Sequence, residues 1–522
     1  MLKLLVIAGA LLGILHAGER SAATNPIIQK MVSEVSEDRI AQTLRKLESF
    51  GTRMVLSPNN EPGRGIGAAQ SWLFNELQSY SPRLQVSLDR ETAKDVAGTK
   101  GDTEIANVVA ILPGTTDTDR YILVSGHYDS IALIEKKNAR VNLPAGLVKR
   151  GMTAAQAEEY LKEYLKRFPP EERQWGPDVD WKATIASPAP GVTDDGSGTA
   201  TVLELARVFS NYTFAKSIVF IAFSGEEVGL QGSTGYAQKA RGQKKKIEAV
   251  LNNDIVGSDI GGDGKKANNT IRVFSASPED SPSRALARYI ADTAPRYVPG
   301  FNVELVFRPD RFGRGGDHMP FANAGFAAVR FTTPAENFAN QHSVTDTFAN
   351  TSVPFTTRAA RVNAAVAASL ALAPAPPQVD WYSRPLISRG RSHYDAVLRW
   401  EPSRRAAGYQ VLIRAASNTN WERAIDVGAV TTYTLPNFSI DDTVLGVRAI
   451  DKDGNPSLIS AYVPNLRVTA DQPVAGSWLE RHSAYVLILS ALLFIGAAVL
   501  YVRSRRLRPS IANVPVDNIP HF

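Results

Sequence analysis

The chain of 522 residues contains no cysteine. Disulfides, thiolate nucleophiles and zinc sites built on sulfur are thereby excluded, and any bound metal must be held by imidazole and carboxylate. Histidine is scarce as well, at seven. Two motifs are absent: the G-x-S-x-G nucleophile turn of serine hydrolases and the helical H-E-x-x-H of many metalloproteases. The net charge is +6, and residues 503–522 supply +3 of it through Arg503, Arg505, Arg506 and Arg508 against Asp517. The remaining +3 is a weak argument for a nucleic-acid partner and the tail a better one for a membrane-flanking segment.

What is present begins with two apolar stretches. Lys3 precedes a run from Leu4 to Leu15, followed by small residues at Ala17 and Gly18. Residues 1–23 therefore read as a secretory signal peptide, with an uncleaved N-terminal anchor as the alternative. Ser483 to Val502 forms twenty residues without a charge, enough at ~1.5 Å per residue to cross a hydrocarbon core of ~30 Å. We read 483–502 as a transmembrane helix and 503–522 as a basic cytoplasmic tail. The chain is then expected to be membrane-anchored through its C-terminal helix, with everything before that helix extracytoplasmic, either periplasmic or extracellular.

Between these ends the pattern is α/β. Helical spacing runs from Ile27 to Leu47, from Ile66 to Leu77, from Thr199 to Phe209, from Ala285 to Thr293 and from Thr357 to Leu370. An edge strand is predicted at Leu84–Leu88, and buried strands at Ile105–Leu112, Tyr121–Val124, Ser217–Phe223, Ala249–Asn253 and Phe326–Phe331. Such alternation predicts a domain over 24–370 with a mainly parallel central sheet flanked by helices. An insertion at about 131–187 interrupts it and contains an amphipathic helix from Thr153 to Phe168. Residues 371–378, rich in Ala and Pro, read as a linker. Short strand-like runs then predict an all-β sandwich over 379–470. Trp400 before Glu401-Pro402, Tyr409 opening a central strand, and Val447-Arg448-Ala449 leading into a glycine turn resemble a fibronectin type III module. Its default role is that of a spacer.

Candidate chemistry collects after strands. His127 and Asp129 follow Tyr121–Val124, at the strand end where open α/β sheets bind ligands. The same His-Tyr-Asp recurs at His393, without a comparable strand before it. Thr193-Asp194-Asp195-Gly196-Ser197-Gly198 precedes a helix; Asp195 or Ser197 could cap that helix, or a carboxylate could enter the sheet edge and hold metal. The adjacent acids Glu226 and Glu227 end the strand Ser217–Phe223. They would repel each other unless a cation neutralises one or each has a separate task. Asn252-Asn253-Asp254 follows another strand, and His342 stands in Gln-His-Ser-Val-Thr-Asp-Thr beyond Phe331.

Taken in order, His127-x-Asp129, Asp194-Asp195-Gly196-Ser197-Gly198, Ser224-Gly225-Glu226-Glu227-x-Gly229, Asn252-Asn253-Asp254 and His342-x-x-x-Asp346-Thr347 resemble the M28 family of zinc peptidases over about residues 30–370. That resemblance implies two Zn2+ per chain. His127 and Asp254 would hold one, Glu227 and His342 the other, and Asp194 would bridge them. Glu226 is left as general base, and Asp129 would orient His127. Peptides are the implied substrates and aminopeptidase action the implied reaction, while Asp317-His318-x-Pro320-Phe321 matches a family segment expected to be structural or pocket-shaping. Two departures stand out: sixty-six residues separate His127 from Asp194 because of the insertion, and Gln341 occupies the place where many members have an oxyanion-stabilising tyrosine. The alternatives are a single-zinc acyltransferase resembling glutaminyl cyclases and a non-catalytic receptor-like ectodomain.

Overall fold

In α1 (Pro26–Ser33) and α2 (Glu37–Ser49), the side chains of Asn25 and Ser36 accept hydrogen bonds from the first-turn amides of Ile27 and Arg39. Ile28, Met31, Val32, Ile40, Leu44 and Leu47 fall on the inward faces and are buried. The helical spacing from Ile27 to Leu47 thus belongs to two helices, because Ser36 is extended and starts the second one. The computed structural model describes residues 24–57, 61–134, 152–167, 179–312, 314–381 and 384–463. The expected signal segment 1–23, the span 483–502 and the tail 503–522 lie outside the described residues. Among the described residues no helix is long and apolar enough to cross a membrane.

The chain continues through α3 (Gly65–Tyr80), β1 (Gln85–Lys94), β2 (Asp102–Leu112) and β3 (Asp117–His127). The insertion contributes α4 (Ala154–Arg167) and α5 (Trp181–Ala186). Then come α6 (Ser197–Phe209), β4 (Lys216–Phe223), α7 (Gln231–Gly242), β5 (Lys246–Asn253), β6 (Thr270–Ser275), α8 (Pro282–Tyr297), β7 (Asn302–Val306), α9 (His318–Asn323), β8 (Ala328–Thr332) and α10 (Val353–Leu372).

The eight strands form one sheet in the order β1-β2-β4-β3-β5-β8-β6-β7. Its centre, β4-β3-β5-β8, is parallel. On one side β2 runs antiparallel to β4 and β1 to β2; on the other β6 runs antiparallel to β8, with β7 parallel to β6. This corrects the expectation of a mainly parallel sheet: the sheet is mixed. The connection from β1 to β2 turns back at once, with Asp95 and Ala97 at φ of 54° and 52°, and is too short for the crossover that a parallel pair requires. β4 is buried at every residue, as a central strand covered on both faces must be.

Helices cover both faces. Val109, Leu123, Val219, Phe223 and Val250 pack on one face against Tyr236, Ala237 and Ala240 of α7 and Phe321 of α9. The opposite face carries the larger core, with α1, α2, α6, α8 and α10. α10 is buried nearly all round through Ala359, Ala360, Ala364, Ala365, Ala367 and Ala368, and these small side chains let α1, α6 and the sheet pack closely around it.

Beyond α10, two antiparallel sheets share a core of Leu398, Trp400, Val411 and Val447, which is what the structure supports of the expected sandwich. One sheet joins β11 (Ile387–Ser388), β12 (Ala396–Arg399) and β15 (Thr432–Leu435); the other joins β14 (Arg423–Gly428), β13 (Gly408–Ala415), β16 (Thr443–Ile450) and β17 (Ser460–Ala461). A small hairpin of β9 (Asp380–Trp381) and β10 (Arg384–Pro385) precedes them. Arg405 donates to Asp117 at 2.9 Å and to the carbonyls of Leu372 at 2.9 Å and Ala373 at 2.6 Å. Arg414 donates to Asp280 at 2.5 Å. Lys216 reaches Pro374 O at 3.1 Å. The residues following α10 are therefore packed against both modules.

Candidate metal centre

Every candidate ligand arrives at the C-terminal edge of the parallel strands. His127 ends β3, Glu227 lies in the turn after β4 and Asp254 directly follows β5. Asp194 comes from the short loop that enters α6, and His342 from the loop after β8. Close approach of these backbones depends on glycine. A Cβ on Gly198 would sit 2.2 Å from Asn253 O, and one on Gly126 would sit 2.6 Å from the Gly198 carbonyl carbon.

The side chains form two triads that share a member. His127, Asp194 and Asp254 make one; Asp194, Glu227 and His342 make the other. His127 Nε2 lies 3.2 Å from Asp194 Oδ1 and 3.9 Å from Asp254 Oδ1. His342 Nε2 lies 3.3 Å from Asp194 Oδ2 and 3.0 Å from Glu227 Oε2. Asp194 thus offers one oxygen to each side. Among the described residues, buried His127 Nε2 and Glu227 Oε1 have no hydrogen-bond partner, an arrangement that costs free energy unless a cation completes it.

Electrostatics make the same demand. Glu227 foremost, with Asp194, overcomes burial and pushes His342 up to about 11. Burial opposes the charged form of His127, but Asp129 and Asp194 carry it well above the usual histidine range. Burial, with Asp254 and Glu227, raises Glu226 well above the ordinary carboxylate range despite His127. The pocket calls for positive charge, which divalent ions bound by neutral imidazoles would supply. Nitrogen and oxygen donors of this kind suit zinc.

The two neighbours of the Asp194-Asp195 pair face different ways. Asp194 enters the centre, whereas Asp195 caps α6 by accepting from Gly198 N at 2.9 Å and also accepts from His127 N at 3.0 Å and Ile255 N at 3.2 Å. Asp129 stands against the His127 ring and makes a second set of contacts as well. His127 Nδ1 bonds its main-chain oxygen at 3.1 Å, with the carboxylate 3.6 Å away. That carboxylate also accepts from the amides of Glu226 at 3.3 Å and Glu227 at 3.2 Å. His318 belongs to neither triad; its Nε2 faces Pro309 O at 2.6 Å. Gln341 Oε1 accepts from Arg314 at 2.9 Å, and its Nε2 donates to Glu336 at 3.0 Å. Leu133 N, at the root of the insertion, donates to His342 O at 2.9 Å, so the insertion starts beside this ligand.

Three supporting residues hold these loops, and two of them, Arg53 and Arg330, had no sequence signal of their own. Buried Arg53 donates to Tyr128 O at 2.6 Å, Leu47 O at 3.1 Å, Pro190 O at 2.6 Å and Gly191 O at 2.7 Å, joining the His127 and Asp194 loops. Asp346 accepts from Thr193 N and Asp194 N, both at 2.9 Å. Arg330 lies 3.0 Å from Asp254 Oδ1. Asp346 was quoted within the His342 motif without a role, and a carboxylate at a fixed offset from a ligand was the available hint.

With this geometry in hand, the comparisons with known proteins agree on a class. The model of peptidase family M28 matches residues 107–367, and the chain belongs to that family as a zinc metallopeptidase. A probable zinc metalloprotease of Pyrenophora tritici-repentis is 34% identical over 465 residues, covering 82% of this chain and 85% of the relative. Another from Pyricularia oryzae is 34% identical over 469 residues, covering 82% and 83%. Among solved structures, LapA aminopeptidase of Legionella pneumophila aligns at 18% identity and a TM-score of 0.44, covering 67% of this chain and 74% of that one. A glutaminyl cyclase of Fimbriiglobus ruber aligns at 17% and 0.44, covering 64% and 94%.

Proposed function

We propose that this metallopeptidase is a dizinc aminopeptidase, with His127 and Asp254 on one zinc, Glu227 and His342 on the other, and Asp194 shared. The observation that carries this reading is the split between neighbouring acids: Glu227 lies within a ligand triad, and Glu226 lies outside both. When bound, the metal pair would lower the pKa of a water and polarise the scissile carbonyl. Glu226, whose carboxyl burial holds high, would serve as the base that takes a proton from the attacking water and returns it to the leaving amine. Asp129 accepts the Glu226 and Glu227 amides and so fixes the turn that carries both acids relative to His127.

Glu226→Gln is expected to retain two zincs while kcat falls by about 10²- to 10⁴-fold, the usual worth of a general base. Full hydrolysis of unblocked peptides by the zinc-loaded variant would refute the assignment. Aminopeptidase action further requires that N-acetylated peptides be rejected. One observation favours the single-zinc, cyclase-like alternative: Asp254 is already paired with Arg330. Binding of one zinc per chain, with cyclisation of N-terminal glutamine, would establish it.

The three- and four-stranded antiparallel sheets support a fibronectin type III-like spacer. The apolar stretches at Leu4–Leu15 and Ser483–Val502 support a signal segment and a C-terminal anchor, with the peptidase outside the cytoplasm. Protease protection of the tail but not the catalytic domain in sealed membranes is the expected result.

A further inference from the structure

The side chain of Arg330, on β8, is fully buried. Its Nη1 donates to both oxygens of Asp310, each at 3.1 Å, and to Gly315 O at 2.9 Å. Nη2 lies 3.0 Å from Asp254 Oδ1, a close ion pair that lacks hydrogen-bond geometry. That oxygen also faces His127 Nε2 at 3.9 Å, which makes it the donor an ion beside His127 would use. Gly316 permits the approach: a Cβ there would lie 3.1 Å from Asp254 Oδ2 and 3.4 Å from Arg330 Nη1.

Among the described residues, the ion pairs of Asp194 and Glu227 are with His127 and His342, not with lysine or arginine, although Arg53 acts on Glu227 from a distance. A guanidinium that shares a ligand oxygen draws electron density from it and repels the dication on its far side. Asp310 offsets this charge only in part, because it binds Nη1 whereas Asp254 faces Nη2. The anchoring of Asp254 acts in the opposite sense, but it restrains one short side chain, a smaller effect than a full charge beside a ligand atom.

We infer that Arg330 makes the two metal positions unequal: the position held by His127, Asp194 and Asp254 binds its ion more weakly and loses it first, because Arg330 shares the Asp254 oxygen. The inference rests on the two-metal reading above. Arg330 is here a positioning and tuning residue that acts through Asp254.

The test is a calorimetric titration of the metal-free full-length protein with Zn2+. The wild type should bind two equivalents in steps separated by at least about tenfold, the scale on which residues behind metal ligands act. Asp254→Asn should remove the weaker step and leave the tighter one, and His342→Ala should do the reverse. The double variant Arg330→Gln/Asp310→Asn removes both members of that charge pair, so that neither is left without the other; its weaker step should move at least about fivefold toward the tighter one. The Asp254 and His342 arms stand even if this variant does not fold. Two equivalents of equal affinity, loss of the weaker step in His342→Ala, or an unchanged gap in a folded double variant would overturn the role of Arg330 while leaving the two-metal reading intact. A single equivalent that Asp254→Asn does not affect would overturn that reading and this inference with it.

Discussion

Replacing Arg53 with methionine would test whether the metal centre is held together from beneath. Four hydrogen bonds run from this guanidinium to carbonyls of three separate segments. Burial, only partly opposed by Asp346 and Asp129, pushes its pKa down to about 10, so the group is still charged at neutral pH. Hydrogen bonds from a charged donor contribute about 1.5–3 kcal/mol each, or roughly 6–12 kcal/mol for the set. Against this stands the cost of burying an unpaired cation, several kcal/mol. Methionine fills the volume but strands the carbonyls, so the net loss is expected at about 3–5 kcal/mol, a large share of a typical folding free energy. Because Tyr128 stands between His127 and Asp129, and Gly191 opens the loop to Asp194, zinc affinity should fall by about 10- to 100-fold as well. Urea melts with and without zinc, together with a zinc titration, would measure both effects. A variant within 1 kcal/mol of wild type that binds zinc as tightly would refute the reasoning.

Two further expectations concern stability. Burial raises the Asp310 carboxyl, but Arg330, His318 and Arg311 more than reverse it and hold it below the usual range. A depressed folded pKa means that its stabilisation is complete above the unfolded value of about 3.9 and is lost as pH falls through the folded value. Asp310→Asn should therefore cost about 3 kcal/mol at neutral pH and progressively less below about pH 4; an equal deficit at both ends of a pH series of urea melts would be incompatible with this. Arg405→Ala, which severs the bonds to Asp117, Leu372 and Ala373, should cost about 2 kcal/mol and open residues 373–378 to proteolysis, read by mass spectrometry of the first fragments.

That the five candidate ligands would meet at one sheet edge was legible because each follows an apolar strand or enters a helix, and in an open α/β sheet those positions converge. Strand direction was not legible. The apolar run of β2 looks the same whether it pairs parallel or antiparallel, and only the tight reversal near Asp95 and Ala97 decides it. Arg53 and Arg330 escaped notice for a related reason: an arginine that serves backbone carbonyls or a distant carboxylate leaves no spacing pattern in the chain. Asp129 was expected to orient His127, and it stands against that ring with its main-chain oxygen at 3.1 Å and its carboxylate at 3.6 Å. The bonds of the same carboxylate to the Glu226 and Glu227 amides leave no trace in H-x-D spacing, because they join residues far apart in the chain.

The position of that carboxylate bears on how the enzyme tolerates change. Its two oxygens accept the amides of two successive residues, one outside the ligand triads and one inside. Two bonds to successive amides pin the turn after β4 to the segment after β3 at two points, which fixes its tilt as well as its distance. Loss of that carboxylate would leave the spacing of the two acids to the peptide bond between them and free the pair to swing as a unit against Asp194 and His342.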